Sequence, residues 1–237
     1  MSIESSSKHI NMEHEVVSNR KLNYKFHLLT LRAPSSFSFK TGQFVVLKIN
    51  DSIFRCYSIA SSPEKLPFWE IFVDITPQGP GTRYLSKLKS KDKIEVTKVA
   101  GLFSLQSRKS KQIIFAATGC GLAALKPMIE ESLRKDNSEK AILLWGLRYE
   151  KDIVFKKLLA EWKKRYPQFT YIIILSQPKS QWKGERGHIT KRIVNLAIEE
   201  PKTSIYLCGG SDFIEETQDK LQKNSFSSEK IYFERCY

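Results

Sequence analysis

The chain has 237 residues, enough for one large domain or two modest ones. At 41% hydrophobic and 27% charged residues its composition is that of an ordinary globular protein, and no apolar run nears the ~20 residues a membrane-spanning helix needs. The formal net charge of +14 raises nucleic acid as a partner, but the basic residues are dispersed, without an aromatic-interleaved basic helix; a solvated surface or docking to an acidic protein accounts for it better.

The opening Met1–Ser7 has no apolar core and does not read as a secretory signal, so residues 1–12 are expected to form a flexible tail. Cys56, Cys120, Cys208 and Cys236 are scattered, without the spacing of a zinc knuckle, a redox dithiol or an iron–sulfur ligand set. Reduced thiols in a cytoplasmic protein are the simplest expectation. The four histidines lack metal-ligand spacing, and no metal site is expected.

Six short segments rich in β-branched and aromatic residues come first: 15–19, 23–31, 43–49, 54–60, 69–75 and 93–99. Ala33-Pro34, Thr41-Gly42, Asn50-Asp51 and Pro63 punctuate them, and the pattern predicts an antiparallel barrel or sandwich over residues 13–108. One helix interrupts it near 81–88, with Tyr84, Leu85 and Leu88 on one side. Beyond residue 108 the period changes. Apolar runs at 112–117, 141–145, 171–175 and 204–207 alternate with helical patterns at 122–134, 152–165, 190–199 and 212–223, and a last strand is expected at 230–234. That alternation predicts a doubly wound parallel sheet over residues 109–237.

Four motifs lie in this frame. Arg55-Cys56-Tyr57-Ser58 puts a guanidinium and a ring on one face of a strand and a hydroxyl on the other. A donor fork beside a ring suits a planar ligand that carries phosphate. Gln78-Gly79-Pro80-Gly81-Thr82 opens a helix whose amino end favours a diphosphate, with the Thr82 hydroxyl as a further contact. Thr118-Gly119-Cys120-Gly121 joins the first apolar strand to its helix, a strand–turn–helix context that lets backbone approach a pyrophosphate. Cys208-Gly209-Gly210 closes the fourth apolar strand, where parallel sheets form ligand crevices.

The order of modules, with these motifs, resembles the ferredoxin-NADP reductase superfamily from about residue 13 to 237. The resemblance implies FAD, rather than FMN, in the barrel: Arg55 on its phosphates, Tyr57 on its ring system, Ser58 near its reactive nitrogen, Gly81 and Thr82 at the phosphate bridge. It implies NAD(P)H on the second domain: Thr118, Gly119 and Gly121 at the pyrophosphate, Arg148 and Ser176 near the adenine-ribose end, Cys208 and Gly209 beside the nicotinamide. The family's proline in the third motif is replaced here by Ala124, and Gln177 stands where NADP specialists often carry arginine; NAD and NADP both stay open. The carboxyl end resembles terminal tails of this group, some of which carry an aromatic residue over the flavin; the resemblance implies that Tyr237 gates nicotinamide entry, with a packed terminus as the alternative. The implied activity is transfer of a hydride from NAD(P)H to FAD and of electrons onward to an acidic protein, ferredoxin or flavodoxin; a free-flavin reductase and the reductase component of an oxygenase are the alternatives. A basic nucleic-acid-binding protein without enzymatic activity is the remote one.

Overall fold

The computed structural model describes residues 9–106, 110–134, 139–200 and 202–235, and the chain divides into two compact units, Met1–Ser104 and Leu105–Tyr237. In the first, β1 (His9–Lys21), β2 (Phe26–Arg32), β3 (Phe44–Asn50), β4 (Ile53–Ser58), β5 (Phe68–Asp74) and β6 (Lys93–Ala100) form one antiparallel sheet in the order β4-β3-β6-β1-β2-β5. The helix α1 (Pro80–Lys87) lies between β5 and β6 in the chain. A bridge between Ile59 and Ile71, with the Ala60 amide donating to the Glu70 carbonyl at 2.8 Å, joins the end of β4 to β5 and closes the sheet into a barrel. Inward-facing Leu29, Leu31, Val45, Leu47, Trp69, Ile71, Ile94 and Val96 fill it, and Leu85 of α1 packs with them. Each fully buried side chain of this kind contributes roughly 1.5–3 kcal/mol relative to exposure, so the alternation of side chains sets the register.

A polar pair sits inside this core. Trp69 Nε1–H donates to Nδ1 of fully buried His14 at 3.0 Å, and the Phe37 ring meets the imidazole edge-on at 4.5 Å between centroids. The other ring nitrogen of His14 is buried without a partner.

The second unit alternates β7 (Gln112–Thr118), α2 (Leu122–Arg134), β8 (Lys140–Leu147), α3 (Lys156–Arg165), β9 (Phe169–Leu175), β10 (Glu185–Arg186), α4 (Ile189–Glu199), β11 (Thr203–Gly209), α5 (Ser211–Lys223) and β12 (Ile231–Arg235). Its sheet is parallel throughout, in the order β10-β9-β8-β7-β11-β12. One face packs Ile114, Ala116, Leu144, Ile205 and Leu207 against Ile193 of α4 and Ile214 of α5. The alternate residues Phe115, Trp145, Tyr206 and Cys208 are buried too, and α2 packs on β7, β8 and β11. Burial of both faces explains why these strands read as continuous apolar runs. From β7 the chain winds outward through β8 and β9, then returns to place β11 on the other flank of β7. The β7–β11 gap is therefore the switch point at which such sheets bind ligands.

The expected elements are present, with shifted limits. β1 opens at His9, inside the stretch expected as tail. β2 starts at Phe26 because Asn23 Oδ1 accepts the amides of Lys25 and Phe26 and makes a turn there. The helix expected from residue 152 begins at Lys156: the Asp152 carboxylate accepts the Tyr149 amide to hold a separate turn, and Phe155 takes a left-handed φ of 58° before the helix. β10 was not anticipated; two exposed polar residues carry no strand signal. The expected boundary near residue 108 falls outside the described residues.

Candidate functional site

In the barrel unit, alternation along β4 puts Arg55 and Tyr57 on one face and Ser58 on the other, as the period of two requires. Arg55 is exposed, and its Nη1 donates to the Phe54 carbonyl at 2.8 Å. Tyr57 is half-buried and packs its ring on the barrel core. Burial pushes its phenol up to about 12, against the opposing pull of Arg55, so it stays neutral at any physiological pH. Ser58 ends the strand opposite Phe44 and is also half-buried.

The second motif comes to the first. A Cβ on Gly81 would lie 2.2 Å from the Tyr57 hydroxyl and 3.0 Å from Arg55 Cγ, so glycine alone lets α1 approach β4 this closely. α1 has no side-chain amino-terminal cap, and Pro80 supplies no N–H. The amides of Gly81 and Thr82 are therefore first-turn donors that the helix does not use. The Thr82 hydroxyl donates to the Gly79 carbonyl at 3.1 Å, so in this structure its proton is spent within the helix turn. A cation, a neutral ring and a helix amino end converge within one small region. That donor set fits a flavin bearing a diphosphate.

In the α/β unit the third and fourth motifs meet at the β7–β11 gap. A Cβ on Gly121 would lie 2.1 Å from the Cys208 carbonyl oxygen, and one on Gly209 would lie 2.1 Å from Thr118 Oγ1. The Thr118 methyl lies 3.4 Å from the position of a Cβ on Gly146, the residue that pairs with Thr118 in β8. Gly119 takes φ +53°, the left-handed region that glycine adopts without strain, and turns the chain from β7 into α2. Its carbonyl accepts Trp145 Nε1–H at 2.9 Å, which pins the turn to β8. Cys208 is fully buried. Peptide backbone and the small Thr118 side chain thus line the gap, an arrangement that fits close approach of a pyrophosphate.

Toward β9 the rim is polar. The Ser176 and Gln177 amides donate to the Leu147 and Arg148 carbonyls at 3.0 and 2.9 Å, and Tyr149 Oη donates to Gln177 Oε1 at 2.9 Å. Arg148 is exposed, 5.9 Å from the Tyr149 ring centroid, and Ser176 is exposed beside it along the rim. Tyr237 lies outside the described residues. The Gly146-Leu147-Arg148 segment was legible after the second apolar run, whereas Trp145, whose indole pins the Gly119 turn, was read only as part of that run.

Comparison with known proteins finds both domains. Residues 10–104 match the oxidoreductase FAD-binding domain and residues 115–219 the oxidoreductase NAD-binding domain. The chain is 29% identical over 183 residues to ferredoxin–NADP reductase B of Sorangium cellulosum, covering 73% of this chain and 75% of that protein. It is 26% identical over 211 residues to the anthranilate 1,2-dioxygenase electron transfer component of Acinetobacter baylyi, covering 88% of this chain and 61% of that protein. A ferredoxin NADP+ reductase structure from Neisseria gonorrhoeae with bound FAD and NADP shares the fold at a TM-score of 0.83 and 20% identity, over 95% of this chain and 98% of that one. Fold and comparisons together define an FAD-dependent NAD(P)H oxidoreductase. The chain belongs to the ferredoxin-NADP reductase superfamily.

Proposed function

We propose that the protein carries reducing equivalents from NAD(P)H through FAD to an acidic electron-transfer protein, a ferredoxin or a flavodoxin. FAD, when bound, accepts a hydride and releases electrons singly. Arg55 and the first-turn amides of α1 hold its phosphates, Tyr57 lies against its ring system, and Ser58 hydrogen-bonds near the reactive nitrogen. Thr118, Gly119 and Gly121 seat the pyrophosphate of NAD(P)H, Cys208 and Gly209 receive the nicotinamide end, and Arg148 and Ser176 meet the adenine-ribose end. The neutral phenol of Tyr57 gives ring contact without charge repulsion.

The observation that carries this reading is the double convergence just described: Gly81 against Tyr57 and Arg55 in one unit, and Gly121 and Gly209 against Cys208 and Thr118 in the other. The net charge of +14 supports an acidic partner, because a basic surface steers one electrostatically. A second reading, the reductase component of an oxygenase, is favoured by the similarity to the dioxygenase electron transfer component over 88% of this chain.

The absorption spectrum of the purified protein, before and after anaerobic NADH or NADPH, tests the core of the proposal. A yellow protein that bleaches supports it; a colourless one that takes up no added FAD refutes it. For the acceptor, kcat/KM with ferredoxin or flavodoxin is expected to fall by roughly tenfold or more between low and physiological salt. A rate indifferent to salt would point to a small or neutral acceptor.

A further inference from the structure

The amino end of α1 is built to meet a ligand, and its carboxyl end is fastened by a residue far away in the chain. Asn19, on β1, directs both hydrogens of its carboxamide at this helix end: Nδ2 donates to the Leu85 carbonyl and to the Leu88 carbonyl, each at 2.9 Å. Leu88 is the residue at which α1 stops, and its own amide also turns back to the Leu85 carbonyl. Helix carboxyl ends leave such carbonyls without partners, and here a strand of the barrel supplies them.

The orientation of Asn19 is itself determined. With the NH2 group committed to two carbonyls, Oδ1 must face the other way, where His27 Nδ1 lies at 3.0 Å. An amide oxygen only accepts, so His27 carries its proton on Nδ1 and donates it. His27 is buried on β2, and pairing of Asn19 with Leu29 and of Lys21 with His27 sets the two side chains diagonally on one face of the β1–β2 ladder. The chain of contacts runs from His27 through Asn19 to the end of α1. An eight-residue helix spans about 12 Å, so fixing one end fixes the amides at the other.

We infer that Asn19 is a positioning residue for the flavin, oriented by His27, and that it acts by holding the amino end of α1 against Arg55 and Tyr57. The inference rests on the flavin reading of the barrel unit. It implies a specific signature. The α1 amides face phosphate, so loosening them weakens binding of FAD and leaves binding of riboflavin, which has no phosphate, nearly as it was. A residue that merely stabilised the barrel would change both affinities alike or neither.

The test is the dissociation constant of FAD and of riboflavin, by flavin fluorescence, for the full chain stripped of flavin and for its Asn19→Ala, His27→Leu, His27→Asn and Arg55→Ala variants. Asn19→Ala is expected to weaken FAD about tenfold or more with riboflavin within twofold, and His27→Leu to weaken FAD severalfold. His27→Asn, whose side-chain N–H takes the place of Nδ1–H, is expected to restore the parent value. Equal weakening of both ligands, or FAD affinity unchanged in Asn19→Ala, overturns the inference. If Asn19→Ala does not fold, the His27→Leu and His27→Asn pair is read by the same criterion. A parent protein that binds no FAD overturns the flavin reading itself, whereas loss of FAD in Arg55→Ala alone leaves that reading standing and removes only the role of Asn19.

Discussion

Acidification should strike the barrel through His14. Its imidazole is fully buried and accepts Trp69 Nε1–H on Nδ1 at 3.0 Å, so its single proton sits on Nε2. A second proton would set Nδ1–H against Trp69 Nε1–H, donor to donor, and put a cation in an apolar core. Burial accordingly lowers the His14 pKa from 6.5 to about 4. Because the unfolded chain binds the proton more readily, the contribution is fully present above pH 6.5 and is lost as pH falls toward 4. At ~1.36 kcal/mol per pH unit, the loss is about 2 kcal/mol by pH 5 and approaches about 3 kcal/mol near pH 4. The comparison is with His14→Gln, whose amide oxygen can still accept from Trp69 but does not titrate. Denaturant unfolding of both proteins, followed by tryptophan fluorescence from pH 7.5 to 4.5, should show the parent losing stability relative to the variant by these amounts. Parallel curves over that range would refute the assignment of a neutral, buried imidazole.

Gly81→Ala should raise the FAD dissociation constant by at least tenfold and destabilise the barrel by about 1–3 kcal/mol, because its methyl overlaps Tyr57 and Arg55; flavin retention on gel filtration and thermal melts check it. Gly121→Ala should leave flavin content as in the parent while raising KM for NAD(P)H by roughly tenfold, since its methyl meets the Cys208 carbonyl; a parent-like KM would contradict a pyrophosphate seat there. Tyr57→Ala should release FAD on dilution, the lost ring contact being worth about 1–3 kcal/mol, whereas Cys208→Ala should keep flavin and slow its reduction, read by stopped-flow absorbance at one coenzyme concentration.

Much of the architecture was legible because the residue pattern changes between the two units. Short segments rich in β-branched and aromatic residues, such as Phe44–Asn50, gave the barrel strands, and apolar runs such as Gln112–Thr118, buried on both faces, gave the parallel sheet. Limits moved where a side chain overrode propensity, as Asn23 does before β2 and Asp152 before α3. The motifs were readable because glycine, arginine and an aromatic residue at fixed spacing leave a mark in the chain. Their meeting was not: that Gly81 abuts Tyr57, or Gly121 the Cys208 carbonyl, depends on how strands pair at long range. Asn19 and His27 left no mark, since a polar residue mid-strand reads as solvent-facing until the helix end it binds is known. Among the described residues no helix is long and apolar enough to cross a membrane.

Thr118 touches the space over two glycines at once, its hydroxyl toward Gly209 and its methyl toward Gly146. One small side chain thus gauges the separation of three strand ends, and a bulkier residue at either glycine would press on it. In the proposed reading the middle of the crevice, a mould of peptide groups and one threonine, meets the part that NADH and NADPH share. In that reading, discrimination between coenzymes falls to the periphery, among the exposed ends of Arg148, Ser176 and Gln177, where side chains are free to change without disturbing the mould.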